Sequence, residues 1–447
     1  MIIAKRLKGK AISAWLGPTG DAVRRAVTEA KEQLHARTNG RLGHARRLDL
    51  YFEIGDPWSY LTAQAVARLV ERYPVDLGFT VITPPAADVD PAPALRTQYA
   101  VRDARYLSEY WNVEFPGVRE ADPGMVRDIG TSLIKPRPAR EQLACALELT
   151  GAMWAGDRKA LTKLLGRWGT EAHGSVAPIL NAAYTDLRKA GHYQGAAIHY
   201  GDSWYVGVER LAYLEKRLAE EHGHASDQLP VVAPRPDTER GPLKLSDKPL
   251  TCEMWFSFRS PYSYLALEQI EAVLAPHGVP LVLRPVGPLA SRGAPLPMTK
   301  QLYLVRDAKR EADRLGVPFG EICDPLGPGI DHCLALAHWA IQRGAGLALA
   351  RSVMRGIWAE ARDVTEYVDL RFLVERAGLP WDEAQRALGD KAGATAAHEN
   401  AADLNGAGLW GVPAFRVGDL VVWGQDRLPL LADRLRRHAL ATAAATA

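Results

Sequence analysis

The sequence predicts an α/β protein in which one domain is written twice in tandem. Three matched blocks, in the same order in each copy, carry that prediction. The first is Leu48-Asp-Leu-Tyr-Phe-Glu-Ile-Gly-Asp56-Pro57-Trp58-Ser59-Tyr60-Leu61 against Leu250-Thr-Cys-Glu-Met-Trp-Phe-Ser-Phe-Arg-Ser260-Pro261-Tyr262-Ser263-Tyr264-Leu265. The second, at the same offset, is Tyr99-Ala-Val-Arg102-Asp103-Ala against Tyr303-Leu-Val-Arg306-Asp307-Ala. The third aligns Gly191 to Leu218 without gaps on Gly408 to Leu435, with ten identities in 28 positions.

Each front block reads as a strand, a tight turn and a helix opening at proline, a residue suited to the first helical position because its missing N–H is no loss there. Each rear block reads as two short apolar strands joined by Gly201-Asp202 or Gly418-Asp419, a two-residue hairpin signal, then a helix start. Between front and rear runs a long helical stretch. In the second copy it predicts helices over 300–315, 331–343, 347–362, 370–377 and 381–388. The expected organisation is a basic helical extension over 1–47, a first domain over 48–219, a Pro-rich linker over 220–249, a second domain over 250–438 and a frayed tail over 439–447.

Composition bounds the function. The chain has 447 residues, 47% hydrophobic and 24% charged, enough for two or three soluble domains. A net charge of +3 does not suggest a nucleic-acid binder. Four cysteines without a C-x-x-C fit a reducing cytoplasm, and neither a disulfide scaffold nor a dithiol site. Residues 1–47 are biased, with eleven Lys or Arg against three Asp or Glu. The segment Asp21 to Ala36 reads as an amphipathic helix, packed on the body or facing an acidic surface. No apolar run is long enough to span a membrane. Asp331-His332-Cys333 with Cys323 is not read as a metal site, since adjacent ligands on one helix diverge. Trp339 and Trp358 fall at helical spacing and read as core.

Gly411-Val412-Pro413, followed by the hairpin and Trp423-Gly424-Gln425-Asp426-Arg427-Leu428, resembles the C-terminal signature of the kappa-class glutathione transferases and 2-hydroxychromene-2-carboxylate isomerases. That resemblance covers about 48–218 and 250–437. It implies two tandem thioredoxin-like (DsbA-type) domains, each with a helical insertion. It implies that Ser260 stands where redox relatives have a cysteine, and that its hydroxyl holds the sulfur of bound glutathione at a helix N-terminus, where an anion is favoured. A serine before proline is also a good N-cap in any protein. By the same resemblance, Lys300 holds a glutathione carboxylate. Val412 pairs by its backbone beside a cis bond at Pro413, and Gln425 with Asp426 grips the glutamyl end. Ser291 occupies the position where the family has asparagine, a departure from its pattern. Tyr303 and Arg306 are further candidates.

The first copy reads as disarmed. Asp56 replaces the serine, Gly195-Ala196 replaces Val-Pro, Arg96 replaces Lys300 and Glu209 replaces Asp426. A carboxylate at Asp56 would repel a thiolate, and a non-proline bond at Ala196 is expected to be trans. Asp56 as an acid or base for other chemistry is the alternative. The expected function is a glutathione-dependent isomerase or transferase acting on a small electrophile, with glutathione or another small thiol as cofactor and one working site per chain. The two copies are expected to form an internal pseudo-dimer, open to further homo-oligomerisation. A non-catalytic thioredoxin-fold binding module stays open as the alternative, and a thiol-disulfide oxidoreductase is disfavoured because neither turn has a cysteine.

Overall fold

A computed structural model describes residues 47–223, 232, 241–294 and 296–446. The basic N-terminal extension up to residue 46 and most of the linker lie outside the described residues. The described residues fall into two compact units, 47–232 and 241–446.

In the first unit, β1 (Arg47–Glu53) leads into α1 (Pro57–Arg72), and β2 (Asp76–Ile82) follows. Then come α2 (Pro93–Tyr110), α3 (Pro123–Leu133), α4 (Ala139–Trp154), α5 (Arg158–Trp168) and α6 (Val176–Ala190). The hairpin β3 (Ala197–Tyr200) and β4 (Ser203–Val206) and the helix α7 (Leu211–Glu221) close it. The sheet order is β2-β1-β3-β4. β1 runs parallel to β2 and antiparallel to β3, and β3 is antiparallel to β4. The core is built by alternation: Leu48, Leu50 and Phe52 of β1 are fully buried, as a strand with one face on a helix layer requires.

The second unit repeats the plan. β5 (Cys252–Phe256), α8 (Pro261–Leu274) and β6 (Leu281–Pro285) precede α9 (Met298–Leu315), α10 (Pro328–Ile341), α11 (Gly346–Ala359), α12 (Tyr367–Arg376), α13 (Trp381–Ala387) and α14 (Ala392–Gly406). The hairpin β7 (Ala414–Val417) and β8 (Leu420–Trp423) leads to α15 (Leu428–Thr446). The order β6-β5-β7-β8 carries the same parallel and antiparallel pairings. Both hairpins begin and end at positions that the gapless alignment equates, and Gly201 and Gly418 take the left-handed conformation (φ 62° and 55°) at the first turn position. Gly418 is held to glycine a second way: a Cβ there would lie 2.5 Å from the Leu245 carbonyl oxygen.

The structure departs from the sequence reading at three places. The helix α14 was not predicted. Its apolar pattern is weak because small residues make its contact face: Gly393, Ala397, Asn400, Ala401 and Leu404 are buried. Gly393 packs so closely that a Cβ would meet the Leu334 carbonyl at 2.4 Å. The tail expected to fray from Ala439 instead continues α15 to Thr446, in keeping with the helix propensity of alanine. The last part of the expected linker, 241–249, lies against the second unit. Leu243 N–H donates to Arg437 O at 3.0 Å, and Leu245 O accepts from Asp419 N–H at 3.3 Å. Among the described residues, no helix is long and apolar enough to cross a membrane.

Candidate functional site

β5 is the central strand that delivers the turn. It is paired on both edges and almost wholly buried, so its C-terminal end fixes where Ser257 to Ser260 emerge. Ser260 N–H donates to Ser257 O at 3.0 Å, which tightens the turn. Pro261 opens α8, and Ser260 is its N-cap with extended backbone (φ −105°, ψ 114°). The Ser260 hydroxyl accepts from Ser263 N–H at 3.1 Å and donates to Val412 O at 3.3 Å. The capping interaction satisfies one of the orphan donors of the first turn. The second contact carries the geometry of the site, because it brings the helix start against the loop that precedes β7. There the Val412–Pro413 bond is cis.

That loop is shaped by tryptophan. Trp410 and Trp423 lie with ring centroids 4.8 Å apart, and a Cβ on Gly411 would sit 2.7 Å from the Trp423 indole nitrogen. Only glycine therefore fits between Trp410 and Val412. Pro413 O accepts from Gly424 N–H at 2.9 Å, which ties the loop to the end of β8.

The remaining predicted residues fall into two groups. Lys300 stands in the first turn of α9, with Tyr303 and Arg306 further along, and all three are half-buried. α9 packs beside α8, and its Asp307 accepts from Tyr262 OH at 2.7 Å, so the residue two after Ser260 is anchored to the helix that carries Lys300. Asp426 lies in the short turn Gln425–Arg427, which also packs on α8 and precedes α15. Its carboxylate folds back over Gly424 and pairs with Arg427 at 3.2 Å. Gln425 is placed differently from the sequence reading. It is 2% exposed, and its amide donates to Glu311 of α9 at 3.0 Å. It braces the turn against α9 rather than lining a surface. Ser291 is exposed on a short turn after β6.

Two supports of the turn were not legible from motifs. Arg259, immediately before Ser260, forms a two-pronged ion pair with Asp324 (2.8 and 2.9 Å). Trp358 of α11 donates its indole N–H to Phe258 O at 3.2 Å, so the helical insertion holds the backbone of the turn. Trp358 is also core, stacked on Phe319. All four cysteines are buried and outside any disulfide. Burial pushes the Cys252 thiol up to about 12, away from thiolate chemistry.

The matching turn of the first unit is filled by its own charges. Asp56 caps α1, and its Oδ2 accepts from both the N–H and the hydroxyl of Ser59, each at 2.8 Å. The Ser59 hydroxyl in turn accepts from Ala196 N–H at 2.8 Å and Glu53 N–H at 3.2 Å. Ala196 adopts φ 53°, and the Val412–Pro413 bond is the one cis bond among the described residues. Arg96 lies within 3.1 Å of Glu53, 3.8 Å of Asp56 and 2.7 Å of Asp90. No group of three metal-ligating side chains is gathered for an ion among the described residues.

No curated protein matches the sequence. A solved 2-hydroxychromene-2-carboxylate isomerase is 21% identical over 44% of this chain and 100% of its own, with a TM-score of 0.39. A probable DsbA oxidoreductase from Streptomyces coelicolor is 23% identical over 42% of this chain and 90% of its own, with a TM-score of 0.35. The cytosolic disulfide reductase DsbM from Pseudomonas aeruginosa, solved with GSH, is 18% identical over 44% of this chain and 100% of its own, with a TM-score of 0.30. Residues 251–436 match the model of the DSBA-like thioredoxin domain.

Proposed function

We propose that the second unit binds a low-molecular-weight thiol, glutathione, as its thiolate at Ser260, and works as a glutathione-dependent isomerase or transferase on a small electrophile. The observation that carries this reading is the half-buried Ser260 hydroxyl, set at the start of α8 and in contact with the Val412 carbonyl. It accepts from Ser263 N–H, and its single proton is the donor that can turn toward a ligand. A donor at a helix N-terminus favours an anion and lowers the pKa of a thiol held there.

The residues present fit the charges of glutathione. Lys300 on α9 supplies a cation for a carboxylate, and Asp426 an anion for the ammonium. Val412 offers its backbone beside Pro413. Gln425 contributes indirectly, by holding the turn that carries Asp426 against Glu311. When bound, glutathione supplies a sulfur nucleophile that adds to an aromatic or unsaturated substrate; elimination gives isomerisation and retention gives transfer. This chain's part is to hold that sulfur ionised and positioned. Ser260 and Ser263 stand at the turn without a cysteine, so the chain has no dithiol of its own to cycle there.

The two copies are read as a tandem duplication, with the second as the working site. Titration calorimetry of the full chain with glutathione tests the reading, together with turnover of a model aromatic electrophile. Binding of about one glutathione per chain, with turnover, is the expected result. Binding without turnover would instead favour a non-catalytic module, and no binding at all would remove the thiol from the reading.

A further inference from the structure

The first unit carries a group of side chains that the thiol reading does not use. Glu53 ends β1, Asp56 caps α1, Asp90 lies in the segment between β2 and α2, and Arg96 is in the first turn of α2. The three carboxylates are 4%, 3% and 5% exposed, respectively. Three acids share the Arg96 guanidinium among the described residues. Two nearby acids are engaged elsewhere. Asp88 pairs with Arg188 of α6, and Asp103 of α2 accepts from Trp58 and Tyr99. The Ser59 hydroxyl of α1 donates to Asp56 and itself accepts from the Ala196 N–H before β3.

One carboxylate oxygen of each acid, Glu53 Oε2, Asp56 Oδ1 and Asp90 Oδ1, is buried with no hydrogen-bond partner. Fully ionised, the cluster would bury a net charge of −2 beside bare acceptors. Buried charge left unpaired is strongly unfavourable, and the group neutralises instead. A proton on one acid both lowers the charge and turns a bare acceptor into a donor for another.

We propose that the Glu53–Asp56–Asp90 cluster around Arg96 is a proton-binding site that locks the front of the first unit while occupied and loosens it when the proton leaves for solvent. The direction of titration agrees. Burial and the neighbouring Asp56 push Glu53 up to about 7, against the pull of Arg96, and burial also raises Asp56. Because the folded-state values lie above the unfolded ones, the stabilisation is complete below the ordinary carboxylate range and is lost as pH rises through about 7. The site is independent of whether the second unit binds a thiol.

Hydrogen exchange of the full chain, read on peptides covering 47–60 and corrected for intrinsic rate, tests this. In the wild type, protection should fall roughly 10–100-fold between about pH 5.5 and about pH 8.5. Glu53→Gln, which mimics the protonated acid, should hold its protection across that range. Pressure on the idea comes from two sides: wild-type protection that ignores pH overturns it, and so does a Glu53→Gln chain that loses protection as the wild type does. Infrared spectroscopy of the wild type gives a second readout that needs no variant. A protonated-carboxyl band should titrate away near neutrality, and its absence at the acid end overturns the proposal even where Glu53→Gln fails to fold.

Discussion

The two front turns are built on the same strand, the same N-cap position and the same proline-opened helix, yet they treat charge in opposite ways. At Ser260 the cap is a neutral hydroxyl, half-buried, whose proton rests on the Val412 carbonyl. At Asp56 the cap is a carboxylate, 3% exposed, with both Ser59 donors and Arg96 gathered around it. The loop facing each cap differs in step. Pro413 has no N–H, whereas Ala196 has one, and the Ser59 hydroxyl accepts it. An N-cap sets the fold equally well with Ser or Asp, while its charge and the loop across from it set what the turn can receive. In the first unit the anion expected at a helix N-terminus is part of the chain itself.

Removing the hydroxyl is the largest test of that contrast. Ser260→Ala should lower turnover with glutathione by about 10²–10³-fold, the scale of deleting one donor aimed at an anionic atom. Thiolate absorbance should show the bound thiol titrating at higher pH than in the wild type. The fold should survive, because a lost N-cap costs about 0.5–2 kcal/mol. Unchanged thiolate absorbance would take Ser260 out of the chemistry and leave it a cap.

Making the first turn resemble the second is the next test. Asp56→Ser restores the hydroxyl but leaves Ala196 N–H on Ser59, and it leaves Glu53, Asp90 and Arg96 in place. A thiolate would still meet two buried acids, which repel it. Calorimetry should therefore still give about one glutathione per chain. A second site appearing in Asp56→Ser would show that the identity of the cap alone separates the two turns.

Much of this contrast could be read from residue types. The offsets that align Asp56 with Ser260 and Ala197 with Ala414 place strands and hairpins correctly in both units, because strand, turn and cap signals are local. What closes around the turns was not legible. Arg259 meets Asp324 65 residues away, and Arg96 meets Glu53 43 residues before it. Nothing in the spacing of these residues marks them as partners; only the packing of α2 on α1 and the path of the insertion does. Gln425 illustrates the same limit. Its place in a motif suggested a ligand contact, and nothing in the spacing pointed to Glu311, which accepts from its buried amide nitrogen. α14 was hidden for a different reason, since a helix that packs through Gly and Ala shows little apolar periodicity.

The smallest expected effect separates the two roles of Asp56, as cap and as charge. Asp56→Ala deletes both bonds from Ser59 and should destabilise the first unit by about 1 kcal/mol through the lost cap. Relief of crowding with Glu53 works against that loss, so the net value should fall toward the low end of the range for capping residues. Asp56→Asn keeps an acceptor for Ser59 N–H, and asparagine caps as well as aspartate. It removes only the charge. At neutral pH its stability should lie within about 0.5 kcal/mol of the wild type, as for a substitution that breaks no cap and opens no cavity. The sign of the pH dependence then distinguishes the two roles. The folded-state pKa of Asp56 is raised, chiefly by burial, so the wild type is favoured while the acid is protonated and loses that advantage as pH rises through its folded value. Asn cannot ionise. Denaturant unfolding of the full chain, followed by exchange protection of β1, should show Asp56→Asn gaining on the wild type from acid to alkaline pH, while Asp56→Ala stays below Asp56→Asn at every pH by the value of the cap. A constant difference between Asp56→Asn and the wild type would mean that the carboxylate stays ionised in the folded chain, with Arg96 alone sufficient to hold it.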